Sequence, residues 1–433
     1  MHNVRLVIAL ITALGSASLA AAGDHPGCSL DEAYQAALGN SEVIKIAQED
    51  LMQTSSRVDQ AWSYIYPRVD GKAVYTRYNE TLPPGGGPML FQPLGQLQAA
   101  IVVTQPLYTG GRTLAALRTA QTMRTAGGVT VSLVRQEILL QVADAFYGVL
   151  KATKAVTISK RSLGRLEQQR SITAREAETR STKANKSALM RADALVSMAR
   201  ISAVRAGDNL AIARERFRML TKLPNDLDLV EPQRLSPSDE SLESMTAAAL
   251  RDRDDLASAR LNSRIAEENI TIVKGGHLPQ VAAVAGASYT DSSPATAMDA
   301  TVYYGGVQVE IPIFEGGLMK AEMAEARSKV RQAELALSLA EESVKTEVHD
   351  AFINLKSVSS VVDTAKEQLS YAQGNYEAVS SLFADGLLSS LSMIDAEQAL
   401  TLAESELANA EYDQQLAILH LRKSIGMLGR EDN

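Results

Sequence analysis

The chain has one cysteine, Cys28, in 433 residues, so no intramolecular disulfide can form. Aromatic residues make up only 5%, leaving long stretches to small aliphatic side chains. The five histidines, His2, His25, His277, His349 and His420, fall at no metal-ligand spacing, and no glycine-rich phosphate loop or nucleophile elbow is present. We therefore expect no catalytic residues, no metal and no cofactor. Beyond the N-terminus there is no apolar run of the roughly 18 residues that a membrane-crossing helix requires. A net charge of −8 speaks against a general nucleic-acid binder.

Proline is the most informative shortage. Of 13 prolines, none lies in 107–223 or in 313–433. Proline in a helix interior costs about 3 kcal/mol, so two alanine-rich, proline-free runs of this length read as very long helices. Each run opens on the same motif: Gln105-Pro106-Leu107-Tyr108-Thr109-Gly110-Gly111-Arg112 and Glu310-Ile311-Pro312-Ile313-Phe314-Glu315-Gly316-Gly317. The chain is thus written twice, with 206 residues between Pro106 and Pro312. The paired glycines read as strand ends that open helices rather than as a phosphate cradle.

The N-terminus has the pattern of an export signal over 1–22. His2 and Arg5 precede a short apolar core at 6–14, and Ala20-Ala21-Ala22 offers a cleavage site. Cys28 follows closely, but His25-Pro26-Gly27 does not fit a lipobox, so the thiol reads as a spare group near a flexible terminus, with lipidation left open. The remainder divides into a first repeat, 23–236, and a second, 237–433. In each a helix (29–65; from Pro237 to 275) leads to a β-hairpin (66–108; 278–314) and then to long helices (111–222; 317–428). Asp31 and Asp239 are first-turn acids for the leading helices.

The hairpins alternate apolar and polar residues. Leu97, Ala99, Ile101 and Val103 share one face of a predicted strand, and Tyr303, Val307, Val309 and Ile311 share one face of another. The partners are 69–78 and 281–290, and turn-rich loops at 79–93 and 291–299 join them. Four strands of about ten residues each suit a tilted membrane crossing. Tyr75, Tyr78, Tyr289, Tyr303 and Tyr304 lie near strand ends, where a lipid–water girdle would sit. Four strands cannot close a barrel, and lipid satisfies no edge hydrogen bonds. Several copies would have to pool them: two give eight strands, three give twelve.

The late helices carry a seam. Leu189, Ala192, Val196, Ala199, Ala203, Ala206, Leu210, Ala213, Phe217 and Leu220 alternate spacings of three and four. The second repeat answers with Met393, Ala396, Leu400, Ala403, Leu407, Ala410, Gln414, Ala417 and Leu421. A sustained 3.5-residue period is a coiled-coil seam. The opposing helices come from 131–178 and 320–377. Charge is uneven here: 151–191 has eleven basic and three acidic residues, whereas 355–395 has two basic and five acidic. This bias fits two solvated faces of differing composition, attraction between the coils of the two repeats near their tips, or a basic face for an acidic adaptor tip.

Together, the doubled Pro-Leu-Tyr-x-Gly-Gly and Pro-Ile-Phe-x-Gly-Gly motifs, the Tyr66-Pro67 and Leu278-Pro279 strand starts, the Ser29-Leu30-Asp31-Glu32-Ala33 opening and the 386–400 segment resemble the TolC family of outer-membrane efflux proteins. The resemblance spans essentially the whole mature chain. It implies a mainly α fold with a small β part: a homotrimer whose long coiled-coil helices form an α-barrel across the periplasm, with four strands per chain contributing to a 12-stranded transmembrane β-barrel in the outer membrane of a Gram-negative cell. It implies a passive exit duct of a tripartite efflux pump or type I secretion system, partnered by a periplasmic adaptor, an inner-membrane transporter and the lipid bilayer. It also places one pore-ringing aspartate on Asp395 and the other on Ser392, one turn away. In the first repeat Thr182 and Ala188 stand where the family has a glycine and often an acid. The competing reading is a periplasmic coiled-coil adaptor or scaffold without a barrel.

Overall fold

The computed structural model describes residues 27–80, 93–179, 183–224, 227–237, 240–293, 299–385 and 387–429. The expected signal (1–22), Asp239, Thr182, Gly386 and most of the two hairpin loops lie outside the described residues. In chain order the elements are α1 (Leu30–Asn40), α2 (Glu42–Ser63), β1 (Arg68–Arg77), β2 (Gly95–Tyr108), α3 (Arg112–Thr179), α4 (Lys183–Thr221), α5 (Leu242–Asp252), α6 (Asp254–Gly276), β3 (Gln280–Ser293), β4 (Ala300–Glu310), α7 (Leu318–Ala384) and α8 (Ser390–Ser424).

The leading helix of each repeat, expected as one piece, is two. The break falls at Ser41 in the first repeat and at Arg253 in the second, both with extended backbone. Ser29 caps α1 in a reciprocal box with Glu32, and Ser41 caps α2 through Ile44 N–H. Each of these hydroxyls satisfies a donor that the helix itself leaves orphaned. In the second repeat Ser241, not a residue near Pro237, starts the helix. The local signals were Gly39-Asn40-Ser41 and the acid pair Asp254-Asp255 at the start of α6.

α3 has 68 residues and α7 has 67, which at 1.5 Å per residue is about 100 Å each. Each rod starts just after a strand of the sheet, at Arg112 and Leu318, and its far end, at Thr179 and Ala384, marks the coil tip. α4 and α8 return along α3 and α7. All ten seam positions of α4 and all nine of α8 are buried or half-buried. The alanines let the paired helices come close.

Midway along the rods sit two apolar clusters. Ala33 and Ala37 of α1 pack with Val142, Ala143, Phe146, Tyr147 and Phe217. Met245 and Ala249 of α5 pack with Val344, Val348, Ile418 and Leu421. Cys28 belongs to the first cluster. Its backbone pairs with Asp228 and Val230, its thiol is buried, and burial raises the thiol pKa. It is a core residue, not a spare group at a loose end, because the strand-like bridge to Leu229 fixes it there.

The four strands form one antiparallel sheet in the order β1-β2-β3-β4. The register aligns Val69 with Val103, Val103 with Ala285 and Ala285 with Gly305, so odd-numbered residues share one face of all four strands. That face is predominantly apolar. The even-numbered face holds Asp70, Lys72, Gln98, Thr104, Gln308 and Glu310. The central β2–β3 seam joins the two repeats, whereas β1 and β4 are edges whose outer hydrogen-bonding groups no strand meets among the described residues.

Candidate functional site

Two regions carry the predicted site residues: the coil tip and the strand–helix junctions. At the tip, Ser389 has extended backbone and precedes α8. Met393, Ile394, Ala396 and Glu397 turn inward and are buried. Asp395 is exposed on the opposite face, and Ser392, one turn earlier, is half-buried, with its N–H donating to Ser389 O at 3.1 Å. Three-residue spacing puts both on one side of the helix. The Asp395 side chain lies at the surface of the chain.

Directly behind Asp395 lies a buried polar tie that the sequence reading did not single out. Arg165 of α3 places Nε 2.6 Å from Glu397 Oε2, a close charge contact off hydrogen-bond geometry, and its other end reaches Glu404 at 3.3 Å. Glu397 is only 3% exposed. Thr401 donates to Glu397 Oε1 at 2.9 Å and lies 3.0 Å from Ser162 Oγ; having one hydroxyl proton, it must accept from Ser162. The Tyr376 ring of α7 lies under the guanidinium at 5.8 Å. Burial works against the Arg165 charge, yet Glu397 and Glu404 hold its pKa above the ordinary arginine value. One side chain thus ties α3 to both helices of the second coil.

This tie corrects the expected charge pairing. The basic run of 151–191 does meet acids of the second repeat, but those acids sit on α8: Lys151 with Asp413, Arg161 with Glu404, Arg165 with Glu397. The 355–395 segment lies mostly on α7, and α8 is the helix packed against α3. Within it, Asp363 pairs locally with Lys366. The signal was the acid density just past 395.

At the junctions Pro106 sits inside β2, and Pro312 follows the last residue of β4. Gly110 and Gly111 have φ of +64° and +82°, and Gly316 and Gly317 have +59° and +91°. These left-handed values favour glycine strongly and turn each strand into its long helix. A Cβ on Gly110 would lie 2.6 Å from Gly275 O, so β2–α3 and α6–β3 touch backbone to backbone. The second junction is held differently. His277, at the end of α6, is almost buried, with Nδ1 2.8 Å from Glu315 Oε2 and Nε2 3.0 Å from Glu322 Oε2. Both ring nitrogens thus face carboxyl oxygens, one from the loop before α7 and one from α7 itself. Among the described residues no cluster of histidine, cysteine or acids is arranged to hold a metal. No described helix is long and apolar enough to cross a membrane.

The model of the outer membrane efflux protein family matches residues 33–221 and 246–427. The chain belongs to that family. The outer membrane protein TolC of Escherichia coli is 23% identical over 420 residues, covering 92% of this chain and 82% of TolC. The alkaline protease secretion protein AprF of Pseudomonas aeruginosa is 22% identical over 304 residues, covering 69% of this chain and 63% of AprF. Among solved structures, the CmeC outer membrane channel of Campylobacter jejuni superposes with a TM-score of 0.81 at 15% identity, covering 93% of this chain and 87% of CmeC. The chain is an outer-membrane exit duct, mostly helical with four strands, and its relatives are channels rather than enzymes. The barrel-less scaffold is excluded by the same family membership and by the sheet itself.

Proposed function

We propose that the protein works as a homotrimer, three copies pooling their strands into a 12-stranded barrel and their coils into one helical tube, as the family resemblance implies. The observation that carries this is the pair of unsatisfied edges. β4 is exposed along its whole length and β1 along all but Thr76, and lipid tolerates no open sheet edge. Exposed apolar side chains on α4 (Met190, Met198, Val204) and α7 (Leu335, Leu339, Tyr371) give the helical part matching open faces.

In this assembly Asp395 of each copy lines the periplasmic mouth, with Ser392 beside it. Three carboxylates facing one another favour cations and resist full ionisation together. Ser392 in place of a second acid makes the ring milder. The Arg165 tie holds α8 while Asp395 projects from it, and the inter-repeat ion pairs help keep the resting tip narrow. A periplasmic adaptor and an inner-membrane transporter deliver the cargo, and the duct itself is passive. The test is single-channel recording of the reconstituted protein. Asp395→Ala should lower cation preference and weaken block by multivalent cations; unchanged selectivity and block would remove Asp395 from the constriction.

A further inference from the structure

Tyr303 and Tyr304 stand side by side in the sequence, where the girdle expected at strand ends takes in both. The sheet separates them. Tyr303 faces Ala287 on the odd-numbered, apolar face, and Tyr304 faces Gly286 on the even-numbered, polar face. Tyr304 is also the fifth of the eleven residues of β4, not a terminal one. In a barrel whose apolar face meets lipid, the polar face lines the bore. Tyr304 therefore belongs to the bore and not to a lipid–water girdle.

Its ring does not stand off the sheet. A Cβ on Gly286 would lie 2.8 Å from both Cζ and Oη of Tyr304. The ring is thus folded down across β3 and fills the space that a side chain at 286 would take. Tyr304 is 45% exposed, against 79% for Tyr303. Gly286 is not in the left-handed region, so its φ makes no demand for glycine. The missing Cβ makes room for the ring, and for the Ile101 carbonyl of β2, which lies equally close. Gly71 and Gly306, also in strands, have nothing within 4 Å of the same position. A ring laid over glycine is therefore not a general feature of this sheet.

The first repeat shows what stands at this row when no aromatic is present. Pro106 and Pro312 are 206 residues apart, and Pro67 and Pro279 are 212 apart. These offsets carry Tyr304 back to Gln98 and Gly286 back to Val74, and Val74 and Gln98 do face one another between β1 and β2. The row thus holds valine against glutamine in one hairpin and glycine against tyrosine in the other. Strand stability alone would favour the reverse, because an aromatic pairs well with a β-branched residue and glycine weakens a strand. Where the chain puts a ring on the bore side, it has removed the side chain opposite.

We propose that Gly286 is a notch that parks Tyr304 flat against the wall and keeps the bore clear, so that the width limit on cargo is set at the periplasmic mouth and not in the barrel. This rests on the multi-copy barrel argued above, in which the notch recurs once per copy. Rings standing off the wall in every copy would converge on the axis and make a second constriction. Tyr304 and Gly286 are in this sense specificity-determining: together they decide that bulky cargo, once past the mouth, can leave.

The test is access through the barrel in the full-length protein, in the outer membrane of intact cells. Gln308, on the same face and nearer the helices than Tyr304, is replaced by cysteine; the native Cys28 is buried. A small maleimide and maleimide-tagged polyethylene glycols of increasing size are added outside, and the labelling rate of Gln308→Cys is read. Tyr304→Ala should leave the rate of the largest admitted polymer unchanged, because a parked ring takes nothing from the bore. Val302→Tyr puts a ring opposite Ser288, whose side chain denies it a notch, and should slow the same polymer severalfold while the small maleimide reacts as before. Gly286→Ala should slow it likewise, and adding Tyr304→Ala should restore it. The first two variants decide the matter if the Ile101 carbonyl keeps Gly286→Ala from assembling. A severalfold gain in Tyr304→Ala would mean that the ring already projects, and an unchanged rate in Val302→Tyr would mean that parking is irrelevant; either overturns the proposal and leaves the barrel standing. If the small maleimide labels Gln308→Cys only after lysis, the barrel reading fails and the notch with it.

Discussion

The two repeats have the same elements in the same order, yet they are finished differently. α3 and α7 differ by one residue in length, but 19 residues of α3 are buried against six of α7. Among the described residues α3 packs extensively within the chain against α1, α2, α4, α6 and α8, whereas α7 packs mainly against α5, α6 and α8. Their junctions show the same contrast: Gly110 is wedged against another backbone while Gly316 faces open space. The first repeat is completed by the second, and the second awaits another copy. Burial in one half therefore forecasts the interface of the other.

The largest effect expected is on the tie between the repeats. Arg165→Ala or Glu397→Ala leaves a charge buried without its partner, which typically costs about 3–5 kcal/mol. Hydrogen exchange along the start of α8 should accelerate strongly in either variant, while replacing both residues by Met and Leu should restore much of the protection. Wild-type exchange in the single variants would show that the two coils are joined by other means.

A smaller effect separates the junctions. Alanine at either glycine meets a left-handed backbone, a strain of about 1–2 kcal/mol. Only Gly110→Ala also drives a Cβ into Gly275 O. Gly110→Ala should therefore lower the yield of protease-resistant protomer, whereas Gly316→Ala should chiefly lower the fraction that assembles. Equal loss of protomer in both would break the contrast.

The smallest effect is on pH dependence. Hydrogen bonds from Arg118 hold the Glu268 carboxyl below the usual range, and Lys423 followed by Gln141 does the same for Glu137. A carboxylate whose folded pKa is lowered contributes stability that is fully present above its unfolded value, about 4.3, and is lost as pH falls through the folded value. Thermal unfolding between about pH 6 and 3 should show a shallower acid limb in Glu268→Gln than in wild type. An unchanged limb would mean that the exposed Arg118–Glu268 pair contributes nothing.

Much of this was legible in the sequence because it depends on local rules. Proline-free runs gave the long helices, a 3.5-residue period gave the seams, and two-residue alternation gave strands whose odd-numbered face is apolar. The repeat gave the order. What stayed hidden depends on which helix faces which. The breaks at Ser41 and Arg253 had only short cues, an Asn-Ser step and two aspartates, inside otherwise continuous helical patterns. Arg165 and Glu397 are 232 residues apart in sequence, and nothing in either segment declares that they meet. The charge bias near the tips was visible, but it pointed to α7 because matching by repeat offset ignores that α8 is the helix packed on α3. Cys28 looked peripheral only because the bridge to Leu229 is a long-range contact.

The account stands on copies of the chain pooling their strands in a membrane. The direct measurement is the mass of the detergent-extracted protein by native mass spectrometry. Three chains per particle, with sheet signal in circular dichroism, is the predicted result; a water-soluble single chain with the same fold would contradict it.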